Sequence, residues 1–133
     1  LIYDFPLISN DKAEISLRWE KIKVVMKVSV DTAKETSNKA RTSYDPFSGY
    51  FAADYYFQNK VNLEEALKWI NSTLAFQELD MSLILKAKIL AEMKRYDEAI
   101  ETGEKVVKNL RGKKLEKPAE EMEKFINQWK TMK

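Results

Sequence analysis

The sequence predicts an α+β protein that is mainly α, with a small antiparallel β-meander followed by two helix pairs and a C-terminal capping helix. Apolar residues alternate with polar ones over residues 1–30, which is the period of a β-strand. Over residues 46–133 they recur every three to four positions, which is typical of helices that bury one face. Apolar residues make up 44% of the chain and charged residues 33%, a composition typical of a globular fold.

Residues 1–30 contain three predicted strands. Ile15, Leu17 and Trp19 form one alternating run, and Val24, Met26, Val28 and Val30 form the next. Only Glu20 and Lys21 separate these runs, so they predict a hairpin with a tight turn. Residues 1–8 add a third strand, in which Pro6 must lie at an edge or a bulge because it has no amide hydrogen. Three strands leave an open edge, so we expect this region to be the remnant of a larger β-domain or to pair with a second copy.

The segment 31–45 is polar and rich in serine and threonine. Asp31 is a suitable N-cap, so the segment predicts a linker or a marginal helix. Asp45 and Pro46 then begin the helical region, since proline is well tolerated in the first turn of a helix.

The helical region, residues 46–133, predicts two helix pairs. In the first pair, a stripe led by Phe47 and Phe51 runs to Gln58, and a returning stripe begins at Leu63. Asp80 is expected to cap the first helix of the second pair, which ends near residue 93. The returning helix contains Gly103, which favours a close crossing with a neighbouring helix.

A final helix should follow a break at residues 111–114. Gly112 is expected to stop the preceding helix. Pro118 lies near the start of the last segment, whose apolar side carries Met122, Trp129 and Met132. This helix is the expected cap of the helical stack.

Small residues recur at a fixed period in the helical region. Ala53 and Ala87 are 34 residues apart, and Ala66 and Ala99 are 33 apart. This spacing resembles that of tetratricopeptide helix pairs, and the stretch KRYDEAIETGEKVV is the most similar part. The Trp, Leu-Gly and terminal Pro signals of that repeat are absent, so the helix pairs are tetratricopeptide-like.

The order of elements is similar to that of a bacterial family catalogued as domain of unknown function 2911. The segments that carry the resemblance are LRWEKIKVVMKV, AADYYFQNK, EALKWINSTL and LKAKILAEMKRYDEAIETGEKVV. The resemblance implies a β-rich half joined to tetratricopeptide-like helices and an exported, periplasmic or secreted, protein. It implies no known substrate, and the chain corresponds to the C-terminal part of that family.

The residue types in the chain argue against most catalytic and metal chemistry. Histidine and cysteine are absent, which removes the commonest zinc ligands, thiol nucleophiles and the usual general base near neutral pH. The three glycines are scattered, so no phosphate-binding loop is possible. The sequence therefore predicts no enzyme, no catalytic residues, no metal site and no cofactor.

The predicted function is a non-enzymatic protein-interaction or scaffold module, because stacked helix pairs form a groove. Its candidate contacts are Asp54, Gln58, Lys86 and Lys88. The alternative is a small-molecule or glycan-binding protein, or an enzyme, with its site between the β-portion and the helices. That site would use Arg18, Glu20, Asp54 and Tyr55.

The expected partner is a protein or peptide. With 23 basic and 21 acidic residues the net charge is only +2, so no global field favours nucleic acid. No apolar run approaches the ~18 residues of a membrane span, so membrane insertion is not expected. A homodimer through the open sheet edge is the further alternative.

Overall fold

The computed structural model describes residues 1–9, 11–42 and 47–133 and contains a three-stranded sheet followed by six helices. The strands are β1 (Ile2–Ile8), β2 (Lys12–Trp19) and β3 (Ile22–Ser29). The helices are α1 (Thr32–Thr42), α2 (Ser48–Gln58), α3 (Leu63–Phe76), α4 (Asp80–Glu92), α5 (Tyr96–Gly112) and α6 (Glu116–Met132). The α+β, mainly α prediction is confirmed.

The chain folds into two compact units, Leu1–Asn38 and Lys39–Lys133, called here the sheet unit and the helical unit. The boundary between them falls inside α1. None of the helices in the described part of the chain is both long and apolar enough to cross a membrane.

The sheet is an antiparallel meander with strand order β1-β2-β3, as the alternating pattern predicted. Glu20 and Lys21 form the tight turn between β2 and β3, and Glu20 has φ 53°. Pro6 lies on the edge strand β1, where the register with β2 shifts between Asp4 and Leu7. The missing amide of Pro6 therefore falls at both an edge and an irregularity, which confirms its predicted position.

The polar segment after the sheet is helical over α1. The backbone amide of Lys34 donates to Asp31 Oδ1 at 2.9 Å, which is the side-chain contact that a helix N-cap makes. The predicted restart at Asp45 and Pro46 lies outside the described residues.

The helical unit packs consecutive helices against each other from α2 to α6, and α2 also contacts α4. The four alanines with repeat-like spacing are fully buried: Ala53, Ala66, Ala87 and Ala99. Small side chains at these positions let the helix backbones approach closely. The core of the unit includes Leu83, Leu90, Val106, Leu110, Ile126 and Trp129.

Gly103 lies at a close crossing between α5 and α6, as predicted. A Cβ atom at this position would lie 2.9 Å from Ile126 Cγ1 and 2.9 Å from Met122 Cε. These distances are shorter than carbon atoms tolerate, so only glycine fits without displacement of the Ile126 and Met122 side chains.

Three helices end in the same backbone motif, with a lysine in the left-handed conformation: Lys60 after α2, Lys94 after α4 and Lys114 after α5. After α4, the amide of Lys94 donates to Ala91 O and the amide of Arg95 to Leu90 O, both at 2.9 Å. The other two ends repeat this pattern, which is the Schellman arrangement. α5 ends at Gly112, within the predicted break at residues 111–114. The left-handed residue after the helix is Lys114, with φ 59°, and not the glycine.

Asp80 is not the N-cap of α4, which corrects the sequence prediction. The N-cap position is Leu79, without a side-chain cap hydrogen bond, and Asp80 is the first helical residue. Its carboxylate accepts instead from Asn109 Nδ2 at 3.2 Å and from Lys113 Nζ at 2.5 Å. The acid thus joins α4 to the end of α5.

Candidate binding groove

An open cavity of about 630 Å³ lies along the helical unit, and we call it the groove. It is lined by residues of α2, α4, α5 and α6 and of the loop after α4: Phe57, Gln58, Lys88, Ala91, Glu92, Lys94, Tyr96, Phe125, Gln128, Trp129 and Met132. Helices that are not neighbours in sequence therefore contribute to one surface.

Aromatic side chains of α6 form the apolar wall of the groove. The rings of Phe125 and Trp129 are stacked, with centroids 6.0 Å apart and an interplanar angle of 26°. Trp129 is buried, whereas Phe125 is 38% exposed and Met132 is 60% exposed. The wall thus consists of the buried ring of Trp129 and of the accessible side chains of Phe125 and Met132 beside it.

Lysines give the groove its charge. Lys88 Nζ lies 5.0 Å from the centroid of the Phe125 ring, within the range of a cation–π contact. Glu92 is 2.7 Å from Lys60 Nζ and is therefore neutralised by an ion pair. Among the ion pairs of the described residues, neither Lys88 nor Lys94 has a carboxylate partner. The groove therefore presents positive charge next to apolar surface.

The predicted contacts Asp54 and Gln58 lie one turn apart on α2. Gln58 Nε2 donates to Asp54 Oδ1 at 3.3 Å, and Gln58 also lines the groove. Burial of the Tyr50 hydroxyl, followed by the nearby charge of Asp54, raises the pKa of Tyr50 above its ordinary value. Asp54 therefore acts on Tyr50 near the start of α2 as well as on Gln58 at its last residue.

The two predicted lysines of α4 lie in different cavities. Lys88 lines the groove, but Lys86 lines a separate cavity of about 370 Å³ with Glu98 and Lys105. Residues two apart in an α-helix are rotated by about 200°, so they point to opposite sides. The structure therefore brings together Gln58 and Lys88, with Asp54 bonded to Gln58, and separates Lys86 from them.

The residues proposed for a site between the two parts of the chain are distributed over both units. Arg18 and Glu20 belong to the sheet unit, where Arg18 lies 3.5 Å from Asp4. Asp54 and Tyr55 belong to the helical unit, where the ring of Tyr55 contacts that of Tyr56 edge-on. Among the described residues, no group of three or more acids could hold a metal ion.

The α6 side of the groove was not predicted from the sequence. The apolar spacing predicts Trp129 on the buried side of a capping helix and singles out neither Gln128 nor Glu92. One signal was present: Phe125 and Ile126 are adjacent and apolar, and they point about 100° apart around the helix, so they can contact different neighbours. Ile126 is buried in the core, which leaves Phe125 to face the groove.

Comparison of the chain with protein-family models, with curated proteins and with solved structures gave no match. The resemblance to the family of unknown function and to tetratricopeptide repeats therefore stays a prediction.

Proposed function

We propose that this chain is a non-enzymatic protein-interaction module whose groove binds a peptide segment carrying a carboxylate next to an apolar side chain. One observation carries the proposal: Lys88, which has no carboxylate partner among the described residues, lies over Phe125 in a groove shared by several helices. A partner carboxylate there meets a cation, and its apolar neighbour meets the ring of Phe125 and the side chain of Met132.

The shape of the groove supports a peptide over a compact small molecule. The cavity is open and draws its lining from α2, α4, α5 and α6, and the lining includes the amides of Gln58 and Gln128 beside apolar side chains. Side-chain amides donate and accept hydrogen bonds, so they suit the backbone groups of an extended or helical segment. The buried alanines and the recurring helix ends support the tetratricopeptide-like interpretation, in which such a groove holds a peptide.

The test is panning of a random peptide library displayed on phage against the purified chain. We expect the selected peptides to contain Asp or Glu, or a free C-terminal carboxylate, within a few residues of a large apolar residue. Their affinity for Lys88→Glu should fall by at least about 10-fold, because charged pairs in partly desolvated interfaces contribute this much or more.

Two further charge reversals locate the site. Lys86→Glu changes the same residue type on the same helix but in the other cavity, and Lys124→Glu changes an exposed lysine of α6 that lines neither cavity. Both variants should bind the selected peptides as the wild type does. A library that yields no enriched peptides, or peptides that lose equal affinity with Lys86→Glu and Lys88→Glu, would refute the proposal.

A further inference from the structure

The sheet unit separates its side chains into one apolar face and one charged face. The strand registers pair Tyr3 with Leu17, Leu17 with Val24 and Ile15 with Met26, and paired residues of an antiparallel sheet share a face. The residues that the registers place on this side, called here the apolar face, are Tyr3, Ile8, Ala13, Ile15, Leu17, Trp19, Ile22, Val24, Met26 and Val28. It contains no charged residue.

The opposite side of the sheet holds the charges. Glu14 pairs with Lys27 in the register, and their side chains lie 3.6 Å apart. Arg18 pairs with Lys23 and also contacts Asp4 at 3.5 Å. This side also carries Ile2, Leu7, Val25 and the fully buried Ser16, as the registers show. Its charged residues are suited to water, and the apolar face has none.

The apolar face is exposed over most of its area. Seven of its side chains keep at least two-fifths of their surface accessible: Tyr3, Ile8, Trp19, Ile22, Val24, Met26 and Val28. An aromatic side chain has about 150–250 Å² to bury and an aliphatic one somewhat less, so these seven present on the order of 800 Å². The largest apolar patch of an ordinary monomer is about 300–600 Å², which this face exceeds.

The size of the face matches what a dimer needs. A stable interface of standard size takes about 800 Å² from each partner. In a twofold dimer the same patch lies on both copies, so a face of this size meets the requirement by itself. Because the face carries no charge, packing it against itself brings no like charges together and buries none without a partner.

Pairing of two copies at the sheet edge satisfies the backbone but not these side chains. An added strand next to β3 extends the sheet in its own plane, so the apolar face stays in water. Face-to-face packing, with two sheets about 10 Å apart, covers the side chains of both copies. The exposed area therefore favours the face over the edge.

We propose that the apolar face packs against the same face of a second copy of this chain, so that two three-stranded sheets form a six-stranded sandwich. The proposal concerns the sheet unit and is independent of the peptide groove.

The first experiment measures the mass of the full chain by sedimentation equilibrium between about 1 and 100 μM, the range in which interfaces of this size are populated. We expect a dimer for the wild type. Val24→Glu should raise the dimer dissociation constant by at least about 30-fold, the effect of disrupting a central interface residue. Val25→Glu is the matched control, since Val25 is the neighbouring valine on the charged face, between Lys23 and Lys27. It should dimerise as the wild type does.

A second measurement stays informative if Val24→Glu does not fold. The chain contains no cysteine, so Leu17→Cys and Arg18→Cys each accept a single pyrene label on the central strand, on opposite faces. Face-to-face packing gives pyrene excimer emission from position 17 and none from position 18. Edge pairing through β3 keeps the two central strands about 14 Å apart, three strand spacings, and gives none from either position.

Three outcomes would overturn the proposal. These are a wild type that stays monomeric over the whole concentration range, equal loss of dimer in Val24→Glu and Val25→Glu, and a dimer without excimer emission from position 17. The second and third results would favour the edge dimer, and the first would show that another protein or no partner covers the face.

Discussion

The helical unit and the sheet unit treat the same kind of residue in opposite ways. Ile70 of α3 is fully buried, whereas Ile22 of β3 is 61% exposed. Helices that follow one another along the chain supply each other's cover, since α2 to α6 pack consecutively. A three-stranded sheet is a single layer, and a single layer needs a second one to bury its apolar side. The difference shows that apolar content alone does not decide burial; the number of layers does.

Truncation of the two isoleucines should give the largest contrast. Ile70→Ala removes fully buried methyl groups and should lower the free energy of unfolding of the helical unit by about 2–5 kcal/mol. Ile22→Ala should change the free energy of unfolding by no more than about 0.5 kcal/mol, because its side chain is mostly exposed. Urea unfolding followed by far-UV circular dichroism at several protein concentrations measures both, because only the contribution of self-association depends on concentration. Equal losses would contradict the contrast between the units.

The two glycines of α5 test how tightly the helical unit is packed. Gly103→Ala should destabilise the unit by about 1–3 kcal/mol, because the added Cβ overlaps Ile126 and Met122. Gly112→Ala meets nothing within 4 Å and should stabilise it by about 0.5 kcal/mol, because alanine favours the helix. Thermal unfolding of the two variants and the wild type should show a lower melting temperature for Gly103→Ala and a higher one for Gly112→Ala. A Gly103→Ala variant as stable as the wild type would show that the side chains at the crossing between α5 and α6 rearrange at little cost.

Residues with left-handed backbone conformation occur in both units. Replacing one of them by glycine in each unit should have different effects on the stability of the helical unit. Lys94→Gly should stabilise the helical unit by about 0.5–1 kcal/mol, since Lys94 has φ 61° and glycine adopts this conformation without a steric cost. Glu20→Gly changes the left-handed residue of the sheet turn and should leave the helical transition in place. Lys108→Gly, in the interior of α5, is the control for the loss of a helix former and should cost about 1 kcal/mol. Differential scanning calorimetry resolves the three effects, and a Lys94→Gly variant that melts below the wild type would contradict the prediction.

The smallest effect concerns the titration of Tyr50 in the helical unit. Its pKa is raised by burial and then by Asp54, so the folded protein holds this proton more tightly than the unfolded chain. The resulting stability is fully present below the ordinary tyrosine pKa of 10.0 and is lost as the pH rises through the folded value. Wild-type stability should therefore fall more steeply above this pH than that of Tyr50→Phe. Asp54→Asn should move the Tyr50 pKa part of the way back, because burial remains.

Much of the fold followed from the sequence because the two periodicities are strong. The alternation in residues 12–29 fixed the register of β2 and β3, and the lack of an amide placed Pro6 at the irregularity of β1. The small residues Ala53 and Ala87 identified buried positions in α2 and α4. These features depend on neighbours in sequence or on residue size, which a sequence shows directly.

Details that depend on distant contacts did not follow. Asp80 looked like a cap, but Lys113 and Asn109 of another helix engage its carboxylate. α5 ends at Gly112 as predicted, but the left-handed residue after the helix is Lys114. The groove was half predicted, since Gln58 and Lys88 line it while its α6 wall was attributed to the core. The separation of Lys86 from Lys88 does not depend on distant contacts, because their spacing of two residues already places them on opposite sides of α4, although both were predicted to line one groove.

The irregularity at Pro6 makes the two edges of the sheet unequal. β1 carries a proline and a register shift, and both hinder the addition of another strand, whereas β3 is a regular strand of eight residues. We therefore expect a further strand to add at β3 more readily than at β1. Pro6 thus removes a backbone donor from the β1 edge and makes the two edges of the sheet chemically different.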